Sequence, residues 1–114
     1  MGEIEVIGEE AFRDCTGVEK INISESVRNI RARAFSGCSG LTEAKFKEGV
    51  EIIGQSAFEN CSSLTSLHLP KSLKRIEAHA FAGCTSLTVV SISQETSVDS
   101  DAFDTNNNIK FLYR

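Results

Sequence analysis

The sequence predicts a short right-handed solenoid, β-rich, in which five coils stack and neighbouring strands pair in parallel. Three observations predict it. The dipeptide Ala-Phe recurs at Ala11-Phe12, Ala34-Phe35, Ala57-Phe58, Ala80-Phe81 and Ala102-Phe103, at spacings of 23, 23, 23 and 22 residues. A cysteine stands three residues after each of the first four phenylalanines, at Cys15, Cys38, Cys61 and Cys84. Further apolar columns hold the same register, among them Ile7, Ile30, Ile53, Ile76 and Val98, and then Ile21, Ala44, Leu67, Val90 and Leu112. A coil this short cannot bury its apolar side alone, and stacking on a copy does so.

The elements follow in order within one coil. LTSLHL, residues 64–69, ends in four alternating residues, the period of a strand, and LTVVSI, residues 87–92, is rich in strand formers. One such strand per coil, paired in parallel at about 4.8 Å, builds the sheet. Pro70-Lys71-Ser72 reads as a turn, and SLKRI, residues 72–76, as a second short extended piece. EAHAFAGC, residues 77–84, reads as a short helical turn, with Gly37, Gly40 and Gly83 near its end where left-handed backbone is often needed. The pattern is therefore a β/α superhelix forming a single domain over 1–114. Its coils run approximately 7–29, 30–52, 53–75, 76–97 and, partially, 98–114.

The last coil departs from the pattern. One residue is missing before Val98, and Asn106 stands in the cysteine column. With Ile109 and Leu112 kept in their core columns, Phe111 and Tyr113 point outward. Asn106-Asn107-Asn108 reads as a partial cap, whereas Ile4, Val6 and Ile7 begin a coil with none. Solenoid ends need polar cover. The expectation is a fragment of a longer array or edge-to-edge self-association.

Charge and length exclude several function classes. Sixteen acids against twelve bases give a net charge of −4, which argues against a nucleic-acid partner. No run approaches 18 apolar residues, so membrane insertion is not expected. The N-terminal MGEIEVIGEEAF is acidic and lacks a signal-peptide pattern. A complete chain would then be cytoplasmic, and a part of a longer one could be secreted or held at the cell surface.

The chemical groups read as structural. Successive cysteines in a stack have Cβ vectors pointing the same way, at a separation longer than the roughly 3.8 Å a disulfide prefers. They form a ladder of buried free thiols, and no pair has the short spacing of a zinc site. His68 lies between Leu67 and Leu69 and points out of its strand, and His79 lies in a turn, so neither faces a cysteine as a catalytic base. No phosphate loop or nucleophile elbow is present. No catalytic, cofactor-binding or metal-binding residue is assigned, and the chain is read as a non-enzyme. Thr42, Thr65 and Thr88 form a hydroxyl column that supports the sheet. Asn22-Ile23-Ser24 and Asn60-Cys61-Ser62 are glycan sequons in form.

The unit L-T-x-L-x-L-P-x-S-L-x-x-I-x-x-x-A-F-x-x-C, read at residues 64–84, resembles the BspA-like leucine-rich repeats over essentially the whole chain. Pro70 matches that family's proline, while Ser24, Lys47 and Ser93 depart from it. The resemblance implies a leucine-rich-repeat solenoid and a non-enzymatic role in binding a protein partner, as in segments of cell-surface adhesins. The alternative is a structural spacer within a longer array. Solenoids bind through strand residues free of core duty. The outward positions are Lys20 and Asn22, Glu43 and Lys45, Ser66 and His68, Val89 and Ser91, with Phe111 and Tyr113 in the last coil.

Overall fold

The computed structural model describes residues 5–104 and 108–114; Ile4, Asn106 and Asn107, with their part in capping, lie outside them. Each coil supplies two strands rather than one, and these sort into two parallel sheets. The first sheet is built from two-residue strands: β1 (Val6–Ile7), β3 (Asn29–Ile30), β5 (Ile52–Ile53), β7 (Arg75–Ile76) and β9 (Ser97–Val98), in that order. The second holds β2 (Lys20–Ile23), β4 (Glu43–Phe46), β6 (Ser66–His68), β8 (Val89–Ile92) and β10 (Lys110–Tyr113), adjacent in that order. The register carries the repeat into space. Lys20 stands opposite Glu43 and Asn22 opposite Lys45, 23 residues on; Arg75 stands opposite Ser97, 22 residues on.

The core lies between the two sheets and the segment carrying Ala-Phe. Ile30, Ile53 and Ile76 enter from the first sheet, and Leu67, Leu69, Val90 and Ile92 from the second, all buried. The five phenylalanines form one column. Phe12, Phe35, Phe58, Phe81 and Phe103 stack at centroid distances of 5.2, 5.1, 5.2 and 5.1 Å with nearly parallel planes. Phe58 and Phe81 are buried, whereas Phe12, on the first coil, is 46% exposed.

The segment around Ala-Phe is not helical: among the described residues no helix forms. Two left-handed residues in each of the first four coils prevent it. Glu10, Arg33, Ser56 and His79 hold φ of 57–59°, and Asp14, Gly37, Asn60 and Gly83 hold φ of 60–77°. These residues turn their amides toward the next coil. Phe12 N–H donates to Ala34 O, Phe35 to Ala57 and Phe58 to Ala80, each at 2.7 Å. In between, Ala11, Ala34, Ala57 and Ala80 close turns onto carbonyls three residues back, at Gly8, Arg31, Gly54 and Glu77. Alternating turn bonds with bonds to the neighbouring coil satisfies the backbone where a helix would spend every amide within its own coil. Gly37 and Gly83 are left-handed as their position suggested. Gly40 is needed instead for a close approach, since a Cβ there would sit 2.3 Å from Thr16 O.

Candidate functional site

The second sheet turns one side to solvent, and strand alternation decides which residues lie there. Ile21, Ala44, Leu67 and Val90 face the core. Their neighbours make two outward rows. One runs Lys20, Glu43, Ser66, Val89 and the other Asn22, Lys45, His68, Ser91. All eight sequence-derived positions in the first four coils fall into these rows. Lys20, Asn22, Lys45, Ser66 and His68 are exposed, and Glu43, Val89 and Ser91 are half-buried.

The last coil corrects the expectation for Phe111 and Tyr113. Phe111 pairs with Val90 and Tyr113 with Ile92, so both occupy core columns, and Lys110 and Leu112 continue the outward rows beside Val89 and Ser91. The chain is one residue shorter than expected after Phe103 as well as before it. A shift of one residue turns every side chain of a strand to the other face. The observed register packs the Phe111 ring edge-on against Phe103 at 5.2 Å and leaves Leu112 45% exposed. Tyr113 is nonetheless 61% exposed, because β10 is the last strand of its sheet. Lys110 and Leu112 were missed by the sequence reading. The alternation of Lys-Phe-Leu-Tyr fits either face, so no local signal marked them.

The face is polar with a basic bias. Glu43 lies between two lysines, 3.8 Å from Lys20 Nζ and 3.8 Å from Lys45 Nζ. Such exposed pairs order side chains more than they stabilise. Across β2, β4 and β6 a shallow groove of about 530 Å³ is lined by Asn22, Lys45, Phe46, Lys47, Ser66 and His68, among others. Phe46 is half-buried and meets Phe58 edge-on, with centroids 6.0 Å apart. Arg114 crosses β8 to reach His68, Nη1 to Nε2 3.2 Å, and donates to Leu69 O.

The thiols stay on the core side. Cys15, Cys38, Cys61 and Cys84 form no disulfide, and the last three are buried. Each buried thiol donates to the phenylalanine carbonyl one coil back: Cys38 to Phe12, Cys61 to Phe35 and Cys84 to Phe58, at 3.2, 3.3 and 3.2 Å. Burial raises their pKa values, and for Cys84 pushes it up to about 12. These are inert sulfurs, since the thiolate is the nucleophile. A consequence is alkaline sensitivity. An unfolded thiol ionises near 9.0, so between that pH and about 12 the folded state binds more protons and stability falls as pH rises. Below pH 9 the thiols' contribution is fully present. For Cys61 and Cys84 each pH unit between 9 and the raised pKa is expected to cost on the order of 1 kcal/mol per thiol. Denaturant unfolding at pH 8 and pH 10.5 checks this: Cys61→Ala and Cys84→Ala should each flatten the alkaline loss, and an unchanged slope would refute the assignment.

The histidines stand apart from this chemistry. His68 is exposed on the outer face, and His79 lies 3.4 Å from Asp101 across the turn segment. Among the described residues no three His, Cys, Asp or Glu side chains converge as a metal site, and no helix is long and apolar enough to cross a membrane.

Comparison with known proteins agrees with this geometry. The model of the BspA-type leucine-rich repeat region matches residues 2–112 in six copies, where the structure stacks five coils. A crystal structure of a leucine-rich cell surface protein from Faecalibacterium prausnitzii is similar, with TM-score 0.90 and 27% identity, over 96% of this chain and 30% of that one. A leucine-rich repeat protein from Bacteroides capillosus has TM-score 0.69 and 26% identity, over 85% of this chain and 64% of its own. The leucine-rich repeat protein of T. pallidum has TM-score 0.55 and 26% identity, over 77% of this chain and 52% of its own. The chain thus spans less than two thirds of each of these proteins. No curated protein matches the sequence.

Proposed function

The chain belongs to the BspA-type leucine-rich repeat family, and from that membership we propose that it is a non-enzymatic protein-binding module of a cell-surface protein, using the outer face of its second sheet. The observation that carries the reading is the pair of outward rows. Their side chains have no core duty, yet parallel pairing holds them in register from Lys20 to Lys110 and from Asn22 to Leu112. A rigid face loses little freedom on binding, so modest contacts count for more. Large aromatic anchors are absent from the rows, which suits weak contacts repeated along an array. The Faecalibacterium prausnitzii relative is a cell surface protein, which supports that setting.

Substitution at the centre of the face tests this. Proteins captured by the whole chain from cell-surface extracts are expected to be lost with Ser66→Glu. They should be retained with Asn29→Glu, on the outward row of the first sheet. The melting temperature should hold in both variants. Equal capture by both would remove the face as the binding site.

A further inference from the structure

We propose that the groove across β2, β4 and β6 takes an extended acidic segment of the partner protein. This rests on the binding-face reading above and names its ligand chemistry. The chain is acidic overall, at −4, but its outward rows are not: Lys20, Lys45 and Lys110 stand against Glu43 alone. Lys47 adds an ammonium at the groove, though its Nζ lies 3.6 Å from Glu25. Arg114 adds a guanidinium beside His68. Glu48 is already committed: its two carboxylate oxygens accept from Lys71 N–H and Ser72 N–H, at 3.1 and 2.9 Å.

The spacing favours a peptide over a uniform polyanion. Lys20 faces Glu43, and Lys45 follows two residues later on β4, so the two lysines are diagonal neighbours roughly 7–8 Å apart at the backbone. Alternate side chains of an extended peptide recur at about 6.8 Å. Carboxylates at every second residue therefore match the spacing of the two lysines and would share them with Glu43, which pairs with both. Asn22, Ser66 and His68 supply hydrogen-bonding groups between the charges, and Phe46 gives the groove an apolar part.

The test uses the whole chain and a fluorescent eight-residue peptide alternating glutamate and threonine, with its glutamine counterpart, read by anisotropy. The glutamate peptide is expected to bind about tenfold tighter than the glutamine peptide, and the double variant Lys20→Glu/Lys45→Glu to abolish the difference. Lys74→Glu, beside the first sheet, should change nothing, and added salt should weaken only the glutamate peptide. Equal binding of the two peptides overturns the proposal. Equal loss in Lys74→Glu overturns it too, since attraction would then be general. Heparin binding at this face without the glutamate peptide also overturns it, in favour of a glycan. If Ser66→Glu still blocks protein capture while the peptides bind alike, the acidic segment fails and the binding face stands. If Ser66→Glu has no effect on capture, the face itself fails.

Discussion

Phe58→Ala is expected to lower the free energy of unfolding by about 3–5 kcal/mol. Phe58 is the middle ring of the column, buried, with Phe35 at 5.1 Å and Phe81 at 5.2 Å on its two faces and the edge contact with Phe46 at 6.0 Å. Removing it empties space that neither neighbour can fill, because each is held by its amide bond to the next coil, Phe35 N–H to Ala57 O and Phe81 N–H to Ala102 O. In a stack, each coil is stabilised chiefly by its neighbours. The same cavity should therefore weaken the coupling between the second and fourth coils and broaden the transition. Phe12→Ala, which truncates a ring already 46% exposed, should cost clearly less. Denaturant unfolding of the three proteins decides it. An unchanged midpoint for Phe58→Ala would sink the idea that the column holds the coils together.

Gly49→Ala should be the most damaging change of a small residue. Gly49 has φ of +147°, and a Cβ there would stand 2.3 Å from Glu25 O and 3.0 Å from Glu25 C, which are backbone atoms of the preceding coil. The strained backbone alone costs on the order of 1–3 kcal/mol in a residue other than glycine. The clash adds to this, since the Glu25 carbonyl cannot move without disturbing its turn. The Gly49 amide also donates to Ser72 Oγ, which in turn donates to Val50 O, both at 2.8 Å, so a shift of Gly49 is felt in the third coil. Gly17→Ala is the matched control: nothing lies within 4 Å of its added Cβ, and its effect should stay within about 0.5 kcal/mol. Melting temperatures of the two variants separate these outcomes, and similar values would refute the close-approach account.

Most of the core was readable because each of its residues is written several times. The columns of Phe, Cys and Ile30, Ile53 and Ile76 became ladders in the structure, and the cysteines stayed outside any disulfide, with Cys38, Cys61 and Cys84 buried. The outward rows of the first four coils followed from the same register. The left-handed residues were only half readable. Gly37 and Gly83 announce theirs, and Asp14 and Asn60 belong to types that tolerate it. Glu10, Arg33, Ser56 and His79 share no chemistry that would mark them. Their conformation is held by amide bonds to the next coil, such as Arg33 N–H to Gln55 O at 2.9 Å, and no single coil contains that information. The Ala-Phe segment therefore resembled a helical turn in the sequence and is a pair of turns in the stack.

The sequence by itself determined the repeat, its parallel stacking and the identity of every core column through the first four coils, because burial recurs wherever the period recurs. The tertiary structure alone decided the left-handed turn at Glu10, Arg33, Ser56 and His79, the pairing of the second extended pieces into a sheet of their own, and the facing of the last strand. In that last coil the alternation of Lys110, Phe111, Leu112 and Tyr113 is compatible with either face. Packing Phe111 against Phe103 resolves the choice, placing Lys110 and Leu112, not Phe111 and Tyr113, on the outer face.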